Sequence, residues 1–165
     1  PLEEPVVDID YLGQELPDSI PRVFAPGVVS TAVDESSFEI SISGKEMIFA
    51  REGKIMLLTK SDSGWSEPVI APFSGRYVDG ECCFSPDGKK IIFASRRPLP
   101  GAGGSLNTWI SEKQDQTWSD PSPLKSPFYE LTVHAVSMAN SGNIYCSGRY
   151  CPTGGGCSST STHRR

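Results

Sequence analysis

Asp79 and Glu81 are carboxylates two residues apart in a stretch that reads as a β-strand, so both fall on one face of it. A pair of carboxylates on one face is the equipment of glycoside hydrolysis, one acting as acid and the other as base or nucleophile. Arg96 and Arg97 stand on the next predicted strand, and the same types recur as Glu35 with Arg51 and His134 with Arg149. Carboxylate or imidazole beside guanidinium suits a rim that binds a polar ligand, or a set of cross-strand ion pairs. His134 adds the residue type whose charge changes nearest neutral pH.

Other chemistries lack their residues. No Gly-x-Ser-x-Gly elbow occurs and the chain has only 2 His, so Ser-His-Asp catalysis is not expected. Gly101-Ala102-Gly103-Gly104-Ser105 is followed by neither a helix nor Gly-Lys-Ser/Thr, and it reads as a flexible connection rather than a phosphate loop. Cys146, Cys151, Cys157 and His163 lack the short Cys-x-x-Cys pair of structural zinc, so no metal is expected. Nor is any cofactor. Five Cys is an odd number and does not read as a disulfide framework. Ser61-Asp62-Ser63-Gly64-Trp65 lacks the spacing of a sialidase Asp-box and reads as a turn between strands.

The candidate residues depend on hairpins for their placement. Ser85-Pro86-Asp87-Gly88-Lys89 lies between Phe84 and Ile91-Ile92-Phe93-Ala94, and Asp-Gly between apolar strands predicts a two-residue primed turn. That register puts Asp79 opposite Arg96, beside Glu81 and Arg97. The equivalent register about Ser43-Gly44 puts Ser36 opposite Arg51, beside Glu35. About Ser141-Gly142 it puts His134 opposite Arg149. Each hairpin then carries an acid or His, with an Arg, at the same end.

The turn glycines Gly44, Gly88 and Gly142 lie 44 and 54 residues apart, the period of a propeller blade. Each repeat reads as four short strands, the last containing Trp65-Ser66-Glu67-Pro68 or Trp118-Ser119-Asp120-Pro121. Proline confines that strand to a sheet edge, and both Trp are expected to pack rather than to stack on a ligand. Phe84-Ser85-Pro86-Asp87-Gly88-Lys89, a Gly-rich loop, Trp109-Ile110-Ser111 and Trp-Ser-x-Pro together resemble the WD40-like or PD40 propeller repeats of bacterial TolB-like proteins. Tyr11-Leu12-Gly13-Gln14 and Phe24-Ala25-Pro26-Gly27-Val28-Val29-Ser30 resemble the opening of uncharacterised members of that group. The first and third repeats lack the Pro-Asp of the motif. The resemblance implies a fold more than a function, since such blades serve scaffolds, receptors and enzyme accessory domains. It also implies a site outside the cytoplasm.

The expected fold is therefore all-β, a partial β-propeller of about two and a half four-stranded antiparallel blades. Residues 1–20 are an extended segment and 21–26 an outer strand. Blade 1 covers 36–72, blade 2 covers 79–124 and a partial blade 3 covers 132–149. Residues 150–165 offer nothing apolar to bury and are expected to be disordered, like a truncated end. A net charge of −5 argues against a nucleic-acid surface, and no apolar run is long enough to span a membrane.

The favoured function is a non-catalytic binding or scaffold protein whose channel rim meets a protein or glycan. Its rim residues are Glu35, Arg51, Asp79, Glu81, Arg96, Arg97, His134 and Arg149. The alternatives are a glycosidase-like propeller using Asp79 and Glu81, and a functionless fragment of a longer gene. Pro21-Arg22-Val23-Phe24-Ala25-Pro26 is similar to Glu67-Pro68-Val69-Ile70-Ala71-Pro72. On that basis the chain is expected to form a homodimer, each N-terminal strand completing its partner's third blade in a six-bladed ring.

Overall fold

The computed structural model describes residues 11–15, 18–99, 106–150 and 160–164. These form antiparallel β-structure with no α-helix. The first sheet holds β1 (Glu35–Ile40), β2 (Glu46–Arg51) and β3 (Lys54–Ser61), with β4 (Gly64–Trp65) and β5 (Val69–Ile70) both pairing with β3. The second repeats the plan with β6 (Asp79–Phe84), β7 (Lys90–Ser95) and β8 (Asn107–Gln114), and β8 carries β9 (Thr117–Trp118) and β10 (Ser122–Pro123). The third holds β11 (Leu131–Met138), β12 (Ile144–Tyr150) and β13 (Thr160–Arg164). The first strands of the sheets are neighbours, β6 lying against both β1 and β11.

Strand alternation decides which residues glue the sheets together. On one face of the second sheet Phe84, Ile91, Phe93 and Trp109 pack with Ile48, Ile55 and Leu57 of the first. On its other face Ala94 joins Leu131, Val133 and Cys146 of the third. Unbroken apolar runs such as Ile91-Ile92-Phe93-Ala94 follow from this, since both faces of β7 are covered. Trp118 is buried against Phe73 and Phe84, and Trp65 packs on the first sheet's other core.

The Trp-Ser-x-Pro motif has a mechanical use. Proline cannot extend a ladder, but the preceding serine continues it with its side chain: the Thr59 N–H donates to Ser66 Oγ at 3.1 Å and the Glu112 N–H to Ser119 Oγ at 3.0 Å. Each serine N–H meanwhile donates to the same strand, to the Thr59 and Glu112 carbonyls. Strands β4 and β9 hand over to β5 and β10 by this route.

The turns differ from expectation. Gly88 N–H donates to the Ser85 carbonyl at 2.8 Å, and Ser85 N–H to the Lys90 carbonyl. Only Gly88 of the central residues has positive φ, at 66°. The loop is thus a four-residue turn ending in a left-handed glycine, not a two-residue primed turn. Asp87 serves as a side-chain brace, accepting from Ser85 Oγ and from the Lys89 N–H at 3.0 Å. The Ser85 hydroxyl, the larger influence, and that amide hold the Asp87 carboxyl below its usual range.

Near the turn the expected register holds, with Phe84 opposite Ile91. Farther along, a bulge in each inner strand shifts it by one. Glu35, not Ser36, faces Arg51; Asp79 faces Ser95, not Arg96. In the third sheet the pairing is already one residue off beside the turn, with Met138 opposite Ile144, and the bulge at His134, the extra residue between Val133 and Ala135, adds a second, so that Thr132 and not His134 faces Arg149. The bulge residues Ser37 and Glu81 have φ of 56° and 47°.

Two expected segments also come out differently. Thr160–Arg164, placed by the sequence reading in a disordered tail, form β13 along β12, while 151–159 and Arg165 lie outside the described residues. Residues 21–26 form no strand; Pro26 makes one isolated bridge, to Ser30.

Gly148 lies close against β11. A Cβ there would clash with the Thr132 carbonyl oxygen, a backbone atom that cannot swing aside. Gly148→Ala should therefore destabilise the protein by about 1–3 kcal/mol through overpacking. Urea unfolding checks this, and an unchanged midpoint would show that β11 yields at no cost.

Candidate functional site

The bulged ends of β1, β6 and β11 bring the candidate residues to one end of the three inner strands, but most of them are already engaged. Asp79 is 1% exposed and Arg97 9%. Arg97 Nη1 donates to Asp79 Oδ1 at 2.6 Å and to Ser95 Oγ at 2.7 Å, and Nη2 donates to the Phe73 carbonyl. Ser95 Oγ and Ser74 Oγ donate to the two Asp79 oxygens, each at 2.6 Å. The guanidinium lies over the rings of Phe93, Tyr77 and Trp109, at 5.0, 5.5 and 5.6 Å from their centroids. Phe73 and Ser74 follow β5 of the first sheet, so this cluster fastens the first sheet's trailing segment to the second sheet.

Glu35 and Arg51 make a looser version of that fastening one repeat earlier. Arg51 Nε donates to Glu35 Oε1 at 3.2 Å, and Nη2 donates to the Val28 and Val29 carbonyls at 2.5 and 3.2 Å. Thr31 donates to Glu35 from both its hydroxyl and its N–H. The Thr31 hydroxyl is the largest influence holding the Glu35 carboxyl below its ordinary range. Here Ala25 and Val29 pack on Phe49 as Ala71 and Phe73 pack on Phe93. Residues 24–30 therefore sit on the first sheet as 70–74 sit on the second. In the third sheet the equivalent positions are held by Thr132 and Arg149, which stand opposite each other.

The remaining candidates are not gathered into one catalytic group. Glu81, at its bulge, accepts from Ser37 Oγ at 3.3 Å. Arg96 and His134 are exposed, and Arg149 is exposed at the end of β12. Between the first two sheets a cleft of about 370 Å³ is lined by Asp34, Glu35, Glu52 and Asp79, with Ser36 and Val78. Asp79 spends its oxygens on Arg97 and two serines, so the Asp79–Glu81 pair does not face a substrate together.

Among the described residues no three His, Cys, Asp or Glu side chains converge as a metal site. Cys151 and Cys157 lie outside the described residues, and of His163 only the backbone is described. Cys82, Cys83 and Cys146 are buried thiols outside any disulfide. Burial, with neighbouring Cys83 second, pushes the Cys82 thiol far up; burial, then Glu39, pushes Cys83 up to about 12. Neither is a nucleophile near neutral pH.

Glu39 is the residue that sequence reasoning passed over. From β1 its Oε2 accepts the Phe84 N–H of β6 at 2.5 Å, a direct tie between inner strands. Its signal was a lone carboxylate between Phe38 and Ile40. Burial raises its pKa, and the Phe84 N–H opposes this only in part. A carboxyl raised on folding stabilises most below its unfolded value, 4.5 here, and that contribution is lost as pH climbs through the folded value. Glu39→Gln keeps an acceptor without the charge, so it should flatten stability against pH above 4.5. Thermal melts from pH 4 to 8 test this, and parallel wild-type and variant curves would refute it.

No family model matches the chain, and no characterised protein or solved structure is significantly similar to it. The assignment of function therefore rests on the geometry.

Proposed function

We propose that this chain is a propeller-type binding or scaffold module of the WD40-like kind, its sheets acting as blades about a channel lined by β1, β6 and β11. The bulged ends of those strands offer a polar rim to a protein or glycan partner. The observation that supports this most is the use made of the acids: Asp79 and Glu35 hold arginines that grip backbone carbonyls, which is a structural task. Arg96 and His134 stand exposed at the surface, where a partner could reach them. The glycosidase alternative loses its main support, because Asp79 is closed to solvent and saturated with donors.

A glycan array and a panel of immobilised proteins test the proposal. Saturable binding that weakens in an Arg96→Ala/His134→Ala double variant is the expected result. Binding indifferent to both substitutions would overturn the rim, and turnover of aryl glycosides by the wild type would overturn the non-catalytic reading.

A further inference from the structure

The hairpin turns lie at the far end of β1, β6 and β11 from their bulges, and between the turns runs a recess lined by none of the rim residues. It has two chambers. The larger, of about 430 Å³, lies between the turn of the second sheet and that of the third, with Asp87 and Lys90 from the one and Ala139 and Gly142 from the other. The smaller, of about 220 Å³, lies toward the first sheet and is lined by Glu39, Ile40, Ile42 and Phe84. Pro86, Met138 and Asn140 line both, so the chambers share a wall and cross the ends of all three inner strands. Together they fall within the size of sites that take a ligand.

The two chambers differ in chemistry. In the smaller, Ile42 is 68% exposed beside the half-buried Ile40 and Met138, so an apolar group laid among them would leave water together with all three. Its carboxylate, Glu39, is already spent on the Phe84 N–H. In the larger, Asp87 is exposed, and its two protein donors, the Ser85 hydroxyl and the Lys89 N–H, both go to Oδ1, which leaves Oδ2 for an outside donor. Lys90 beside it is answered by Glu112 Oε1 at 2.9 Å, and the exposed Lys89 lines neither chamber. Asp87 is therefore the charge that a ligand would meet, and a cation is what it would hold. Asn140, exposed on the shared wall, offers a donor and an acceptor to a peptide unit passing between the chambers. Alternate side chains of an extended chain point the same way, roughly 7 Å apart, as two chambers divided by one wall require. We infer that this recess binds an extended peptide with an apolar and a basic side chain two residues apart, the apolar one in the smaller chamber and the basic one against Asp87. The net charge of −5 favours the approach of such a peptide. The site is separate from the rim and does not depend on a closed channel.

Capped pentapeptides test it, one with leucine at the second position and arginine at the fourth, the other with the two exchanged, since either chain direction fits. Titrated into the isotope-labelled full chain, at least one should give saturable amide shifts grouped at Gly88, Asn140 and Gly142. Asp87→Asn keeps the oxygen that braces the turn and removes the charge, and it should weaken binding by about tenfold. Serine for leucine in the peptide, or Ile42→Ser in the protein, should weaken it severalfold. The unaltered protein supplies the check that needs no variant to fold: a peptide with glutamate in place of arginine should bind far more weakly. Absence of saturable shifts at those amides, equal binding of the glutamate peptide, or binding unmoved by Asp87→Asn would overturn the site. Arginine amide alone binding as tightly as the pentapeptide would also overturn it, leaving a cation site without a groove. The Arg96→Ala/His134→Ala variant should bind these peptides as the wild type does; a loss there would assign them to the rim and overturn the recess.

Discussion

Arg97→Ala should cost about 3–5 kcal/mol, the largest effect of any single substitution at the candidate site. The loss is not simply that of one ion pair. Asp79 would be left at 1% exposure with only two serine hydroxyls as side-chain partners, and the Phe73 carbonyl would lose its donor. Three aromatic rings would also lose the cation packed over them. Arg51→Ala should cost less, because Glu35 retains both Thr31 donors and lies nearer to solvent. Chemical unfolding of the two variants side by side measures the difference. Equal losses would mean that burial of the second pair has no energetic consequence. The double variant Arg97→Met/Asp79→Asn separates the causes, since it removes the stranded charge and should recover part of the loss.

Phe93→Ala should cost about 3–5 kcal/mol as well, for a different reason. Phe93 is 0% exposed, stacks on Phe73 at 5.1 Å between centroids and lies beneath the Arg97 guanidinium. Its removal opens a cavity where the first two sheets meet and leaves the core between the second and third untouched. We expect a lower urea midpoint and, where the sheets uncouple, a transition that fluorescence and circular dichroism no longer report together. A loss under 1 kcal/mol would show that the sheets can close over the gap.

The sequence carried the ladder order of the first two repeats because its cues are local: Gly at the turn, alternation along the strands, Pro on the outermost strand. It carried the register next to Gly88 for the same reason. It did not carry the bulges. A bulge depends on how β1 meets β6 across the sheets, and nothing in Ser37 or Glu81 as residue types announces a left-handed backbone. One shifted residue was enough to pair Asp79 with Ser95 and to let Arg97, not Arg96, turn inward. Arg97 looked like a rim residue because guanidinium groups are usually solvated. Its three aromatic neighbours are scattered from Tyr77 to Trp109 and meet only in three dimensions. β13 was hidden too, since Thr160–Arg164 include no apolar residue whose alternation would announce a strand.

The serine that carries each outer strand past its proline has a consequence for how the protein behaves in a crowded solution. Because Ser66 and Ser119 keep the ladder intact, the chain can afford Pro68 and Pro72 around β5, and Pro121 and Pro123 at β10. A proline on a perimeter strand has no N–H to offer a passing chain and resists being copied into a longer sheet. The perimeters of the first two sheets are thereby poor templates for aggregation.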